Sequence, residues 1–311
     1  MNRRHATLMS LVAPLAAPLV APLVSACAQA PALPRPAVGR LERLESFPSK
    51  HIDSRHVDVW LPPGWTPDKR CAVLYMHDGQ MLFDATTTWN KQAWQVDQVA
   101  ARGIAEGRLR DVIVVGPHNH PTLRHAEFFP QGFLPHLAPE SLRQRFIGEA
   151  LKGQPRADAY LRFLVEELKP AIDARFATER GRDSTFVMGS SMGGLISVYA
   201  LCEYPQVFGG AAALSTHWIG GYERNDEIPS AAIAYLRNRL PPPAEVKLYM
   251  DRGTTQLDAQ YDQAQPRIDA LMAEKGFRPP RFVTRVFEGT GHNEVDWSKR
   301  LHIPLEFLLG R

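Results

Sequence analysis

The 311 residues predict an α/β fold in which a mostly parallel sheet is wrapped by helices on both faces. Three observations carry that prediction. The continuous apolar run at 71–76 reads as a strand buried on both sides, as in parallel sheets under helical layers, and 111–116 and 246–250 read as further strands. Segments with apolar residues at helical spacing fall between the strands, the clearest carrying Leu161, Phe163, Leu164, Leu168 and Ile172. Finally, Gly189-Ser190-Ser191-Met192-Gly193 sits between the apolar run 185–188 and a helical segment with Leu195, Val198, Tyr199 and Cys202 in step.

Taken in order, 57–61 alternates and stops at Pro62-Pro63-Gly64, an early antiparallel strand and turn. The buried strand 71–76 follows and leads into His77-Asp78-Gly79-Gln80. Helical spacing appears at Trp94, Val96, Val99 and Ala100, then the buried strand 111–116. From Pro117 to about Pro155, prolines, histidines and phenylalanines alternate with charges, which reads as a long loop or small helical insertion over the sheet. A helix spans about 160–176, with Pro170 placed to kink it. After the serine stretch come a small-residue strand at 210–214, the strand 246–250, a helix from about 261 to 275, a last strand at 282–287 and a closing helix with Leu301, Ile303, Phe307 and Leu308. Ligands of such sheets bind beyond the carboxyl ends of the strands.

The first thirty residues stand apart. Arg3 and Arg4 precede an Ala/Leu/Val/Pro stretch that is short for a membrane span and broken by Pro14, Pro18 and Pro22. This is the pattern of a secretory signal peptide over 1–30. Two cleavage patterns fit. Val24-Ser25-Ala26-Cys27 resembles a bacterial lipobox, which would leave a lipidated Cys27 and attach the protein to a membrane. Ala28-Gln29-Ala30 fits an ordinary A-x-A site. Residues 31–44 then read as a linker and 45–311 as one domain, exported to the periplasm or lipid-anchored. Composition is that of a globular domain, 44% hydrophobic and 22% charged. The formal charge is +3, of which Arg3 and Arg4 supply two, so nothing points to a nucleic-acid partner. Cys71 and Cys202 read as buried small hydrophobes.

The chemistry is concentrated in the Gly189–Gly193 stretch. A nucleophilic serine must stand on a tight turn above the sheet, and flanking glycines let strand and helix close up around it. Ser191 would then begin a helix, with the Met192 amide facing the oxyanion. A serine hydroxyl needs a base, and the base needs a group that holds its tautomer. In α/β-hydrolases these follow in the order Ser, acid, His. His292, in the Gly-rich loop Glu288-Gly289-Thr290-Gly291 after the last strand, is the candidate base. Asp258 is favoured as the acid because it lies far enough into the loop after 246–250 to reach across; Asp251 is assigned to the Arg252-Gly253-Thr254 turn, with Glu288 an outside candidate. The Gly79 or Gln80 amide would be the second oxyanion donor. His77 and Asp78 share that loop and read as turn-bonding side chains bordering the substrate, not proton carriers. His217 and Trp218, with Phe128, Phe129 and Trp89, could line a pocket or fill core. His118, His120 and His125 match no metal-ligand spacing, so no metal site is expected.

These motifs resemble the putative esterase branch of the α/β-hydrolases, which holds enterochelin-type and feruloyl-type esterases and S-formylglutathione hydrolases. The resemblance runs from about 45 to 310. It rests on 54–62, on 75–84 (Tyr-Met-His-Asp-Gly-Gln-Met-Leu-Phe-Asp), on 94–97, 160–164 and 167–173, on 189–194 with Ser215-Thr216-His217-Trp218, and on Gly291-His292-Asn293-Glu294 with Trp297. It implies an eight-stranded sheet, a Ser-acid-His triad, no cofactor and a small-molecule ester substrate. Relatives often carry an acid soon after the position of Gly253-Thr254. Here Thr255 and Gln256 follow, leaving Asp258 nearest, and some relatives manage with a Ser–His pair alone. The expectation is a serine esterase. The alternatives are acyl transfer on the same fold, or a non-catalytic ligand-binding surface lipoprotein.

Overall fold

The computed structural model describes residues 33–311. The leader and Cys27 lie outside the described residues. Eight strands form one sheet: β1 (Arg40–Phe47), β2 (Arg55–Leu61), β3 (Ala72–Met76), β4 (Val112–Pro117), β5 (Thr185–Ser190), β6 (Gly210–Leu214), β7 (Lys247–Arg252) and β8 (Phe282–Val286), in the order β1-β2-β4-β3-β5-β6-β7-β8. β2 runs antiparallel to both β1 and β4, and every pairing from β4 to β8 is parallel. Along β3 the side chains alternate between two cores: Val73 and Tyr75 pack in one, Ala72, Leu74 and Met76 in the other. The continuous apolar run follows from helices covering both faces. This is the α/β-hydrolase fold.

The helices are α1 (Val96–Ala105), α2 (Arg124–Phe128), α3 (Glu140–Glu149), α4 (Ala157–Arg162), α5 (Lys169–Arg175), α6 (Met192–Glu203), α7 (Glu227–Arg239), α8 (Ala264–Glu274), α9 (Glu294–Arg300) and α10 (His302–Leu309). α2 and α3 occupy the region between Pro117 and Pro155. The helix expected over 160–176 is α4 and α5 joined by a π-helical turn at Phe163–Leu168. Pro170 lacks an N–H and its ring would strike the carbonyl four residues back, so the chain widens upstream of it. The closing helix is two helices, α9 and α10.

The linker reading of 31–44 does not hold over its described part. Residues 40–44 belong to β1, the Ala37 and Val38 amides donate to the Asp97 carboxylate at 2.7 and 3.2 Å, and the Trp60 indole donates to the Val38 carbonyl at 2.7 Å. β1 carries alternating charge and little apolar surface (RLERLESF), so its sequence hides a strand that is held by pairing to β2. Cys71 and Cys202 are buried and unbridged. No helix among the described residues is long and apolar enough to cross a membrane.

Candidate active site

Ser191 lies at the junction of β5 and α6 with φ 58° and ψ −124°, a region that residues with a side chain rarely enter. The turn is held from several sides. The Ser191 amide donates to the Leu214 carbonyl at 2.9 Å, and its carbonyl accepts from the amides of Gly194, Leu195 and His217. Gly189 is required for closeness: a Cβ there would stand 2.8 Å from the Gly193 carbonyl carbon and oxygen. β5 and α6 therefore cross without room for a methyl group, and Ser191 is thrust above the carboxyl end of the sheet. Met192 is the first residue of α6.

His292 follows β8 and Asp258 lies on a 3-10 turn, Gln256–Tyr261, after β7. The His292 Nδ1 is 2.6 Å from an Asp258 oxygen, and its backbone amide donates to the Gln256 side chain at 2.9 Å. Asp258 is fully buried. An ionised carboxylate only accepts, so this contact places the imidazole proton on Nδ1 and leaves Nε2 as the basic nitrogen. The ring stands edge-on to Trp297, centroids 5.0 Å apart at 77°.

Asp251 does not tie down the turn after it. It is buried and paired with Arg300, whose NH2 and Nε donate at 3.0 and 3.2 Å, and it also accepts from the Tyr249 hydroxyl and the Ser215 amide. The strand-end position that made Asp251 a rival to Asp258 is thus taken up by a buried ion pair.

The loop after β3 makes the facing wall. Asp78 is left-handed at φ 58°. Its carboxylate receives Arg124 Nε and NH2 at 2.6 and 2.7 Å and Asn119 Nδ2 at 2.5 Å. Burial pushes the Asp78 carboxyl up, but the Arg124 guanidinium and these hydrogen bonds outweigh it and hold it below its usual range. Gly79 is pressed against β4: a Cβ would lie 2.0 Å from the Gly116 carbonyl oxygen. The Gln80 side chain accepts from the Asn119 amide at 3.2 Å.

Ser191, His292, Asp78 and Gln80 line one cavity of about 560 Å³, with Trp89, Asn119 and Arg124. Gly79 and Met192, the neighbours of Asp78 and Ser191 along the chain, are not among its lining residues. Asp258 lies behind His292. Three residues read from sequence as bordering the substrate are instead packed beneath the cavity. His77 contacts the Tyr160 hydroxyl at 2.8 Å, His217 contacts the Tyr261 hydroxyl at 2.7 Å, and the Trp218 indole donates to Gln265 at 2.8 Å. All are nearly inaccessible, because apolar helices cover the strand ends that carry them. Burial pushes both histidines down to about 3. Phe128 and Phe129 are core, whereas Trp89 is 83% exposed at the cavity's edge. His118 bonds Asp58 at 2.8 Å and His125 stacks on Phe129. Among the described residues no group of three His, Cys, Asp or Glu is placed to hold a metal ion.

Sequence reasoning missed Arg124, Asn119 and Tyr261, whose hydroxyl bonds His217 and reaches Ser191. Arg124 lies in the insertion, where no periodicity marks it. A larger cleft of about 720 Å³ shares Gln92 with the cavity, but neither Ser191 nor His292 lines it.

The sequence profile described as "Putative esterase" matches residues 50–303. The chain belongs to the putative esterase family. A Bacillus subtilis (strain 168) protein described as uncharacterized protein YbbA is 23% identical over 265 residues, which cover 83% of this chain and 94% of that protein. Solved structures of esterases share the fold. A ferulic acid esterase superposes with a TM-score of 0.62 at 18% identity, covering 87% of this chain and 98% of its own. A CE1 ferulic acid esterase from Anaeromyces mucronatus gives 0.60 at 18%, covering 86% and 90%. The enterobactin esterase of Shigella flexneri gives 0.62 at 17%, covering 88% of this chain; the chain spans 60% of that protein's length. Family membership supports ester hydrolysis as the chemistry of this esterase.

Proposed function

We propose that this family member is a serine carboxylic-ester hydrolase that works through an acyl-enzyme. The observation that carries the reading is the meeting of a strained Ser191 and an Asp258-oriented His292 on one cavity. His292 Nε2 takes the Ser191 proton as Oγ attacks the ester carbonyl. The Met192 amide and one from Gly79 or Gln80 hold the oxyanion. His292 then protonates the departing alcohol, the ester C–O bond breaks, and water activated by the same nitrogen releases the acid.

The substrate reading rests on the lining. Carboxamides from Gln80, Asn90, Gln92, Asn119, Gln256 and Asn293 surround the cavity, with the exposed Trp89 indole at its edge. These carboxamides, together with Asp78, Arg124 and Glu294, make a polar wall beside an aromatic face, which suits a small acyl group on a polyhydroxylated alcohol, or a hydroxycinnamoyl or siderophore-type ester, better than a long acyl chain. The basic, apolar and small-residue succession of the leader supports export, with or without lipid attachment at Cys27.

The test is hydrolysis of 4-nitrophenyl acetate and butyrate by the leaderless protein beside Ser191→Ala, with labelling by a fluorophosphonate. Ser191→Ala is expected to lose about 10⁴-fold or more in kcat and all labelling. Equal turnover by both proteins would refute the assignment of the nucleophile.

A further inference from the structure

Behind the His292–Asp258 pair, Ser215 directly follows β6 with φ 44° and is completely buried. Its hydroxyl has three neighbours: Asp258 at 2.6 Å, the Trp297 indole nitrogen at 2.8 Å and Arg300 NH2 at 3.1 Å. An indole N–H and a guanidinium can only donate, and together they occupy both lone pairs of the hydroxyl. Its single proton therefore points at Asp258. The Asp258 oxygen that receives it also accepts from the Gly253 amide at 2.6 Å, and the other oxygen faces His292. Arg300 is fixed in turn by Asp251, by the Thr290 hydroxyl and by stacking over Phe287.

We propose that Ser215 is a positioning residue for the hydrolytic machinery, anchored by Trp297 and the Arg300–Asp251 ion pair, and that its hydroxyl proton locks one oxygen of Asp258 so that the other holds the His292 tautomer. The inference rests on the Ser191–His292–Asp258 reading. A carboxylate free to rotate about its terminal torsion would offer either oxygen at varying angles; donors on one oxygen select a single rotamer. The positive charge of Arg300 reaches Asp258 through one hydroxyl instead of by direct pairing. A direct pair would draw the carboxylate off His292. Asp251 takes up that charge, which accounts for a second buried acid at the end of β7.

Ser215→Gly is the variant of choice, since glycine accepts φ 44° without strain. Ser215→Ala is the companion, and melting temperatures check that each folds. On 4-nitrophenyl acetate, Ser215→Gly is expected to lower kcat ~10-fold to 100-fold, the range for a hydrogen bond to a charged group, with KM within about twofold. The deciding readout is the cycle with Asp258→Ala. If Ser215 acts through Asp258, Ser215→Gly costs nothing further in that background; a merely structural role costs the same in both. Equal losses in both backgrounds, or an unchanged kcat in the single variants, overturn the proposal. Full activity in Asp258→Ala overturns the triad reading and this inference with it, whereas a silent Ser215 beside a crippled Asp258→Ala overturns the inference alone.

Discussion

His292 turns its Nδ1 onto Asp258 at 2.6 Å, while Asp251, the acid near the end of β7, faces Arg300. The two acids are therefore expected to fail differently. Asp258→Asn presents an amide that can hold the imidazole in the wrong tautomer, and kcat should fall about 10³-fold to 10⁴-fold with the melting temperature little changed. Asp251→Asn leaves Arg300 buried without a counter-charge, at a cost of roughly 3–5 kcal/mol. That is about 10 °C in a domain of this size, with a far smaller loss in kcat. Steady-state kinetics and thermal melts of both variants make the comparison, and reversed phenotypes would reassign the acid.

The strands that build the site were legible because both their faces are apolar. The runs 71–76, 111–116 and 185–188 carry their burial in composition alone, and the serine turn between 185–188 and α6 is a local pattern. What stayed hidden has long-range causes. β1 is a strand only because β2 offers it a partner. Loop position favours Asp258, but Asp251 stays a rival until α9 brings Arg300 to it. His77, His217 and Trp218 sit where pocket residues sit along the chain, and only the packing of Tyr160, Tyr261 and Gln265 over them shows that they face inward.

Gly79 tests the oxyanion wall. A methyl group there would meet the Gly116 carbonyl oxygen at 2.0 Å, a backbone atom that cannot swing aside. Gly79→Ala should push the loop away from β4 and carry the Gly79 and Gln80 amides out of reach of the oxyanion. Losing one such donor costs about 10²-fold to 10³-fold in kcat. Fluorophosphonate labelling slowed in step with kcat, in a protein that still melts cooperatively, is the expected result. Normal turnover would place the second donor elsewhere.

Arg124 should couple loop rigidity to pH. Its two donors hold the Asp78 carboxyl below the usual carboxylate range, so the pair's contribution is fully present above the unfolded value near 3.9 and is lost as pH falls through the lower folded value. Arg124→Ala leaves a buried carboxylate with Asn119 alone and should cost about 3 kcal/mol near pH 7. Below about pH 4 Asp78 of the variant takes up a proton, and the gap from wild type narrows. Urea midpoints at pH 7 and 3.5 measure it, and a gap that widens toward acid would contradict the pairing as described.

Two buried histidines, His77 and His217, and the half-buried His125 are expected to shape the protein's response to mild acid. Burial pushes His77 and His217 down to about 3 and His125 down to about 4. Each is neutral when folded and takes up a proton near pH 6.5 when unfolded, so the unfolded chain binds more protons throughout the interval between. Stability must then fall as pH drops below about 6.5, by up to roughly 1.4 kcal/mol per pH unit for each histidine until its folded value is reached. Urea unfolding at pH 7, 6 and 5 should show this slope well before most carboxylates titrate. His125→Phe keeps the stacking on Phe129 and removes one titrating group, so its slope between pH 6 and 5 should be shallower than wild type by about one proton's worth. A stability flat from pH 7 to 5, or a slope unmoved by His125→Phe, would mean that these rings gain protons in the folded protein and that the packing over the strand ends opens to water.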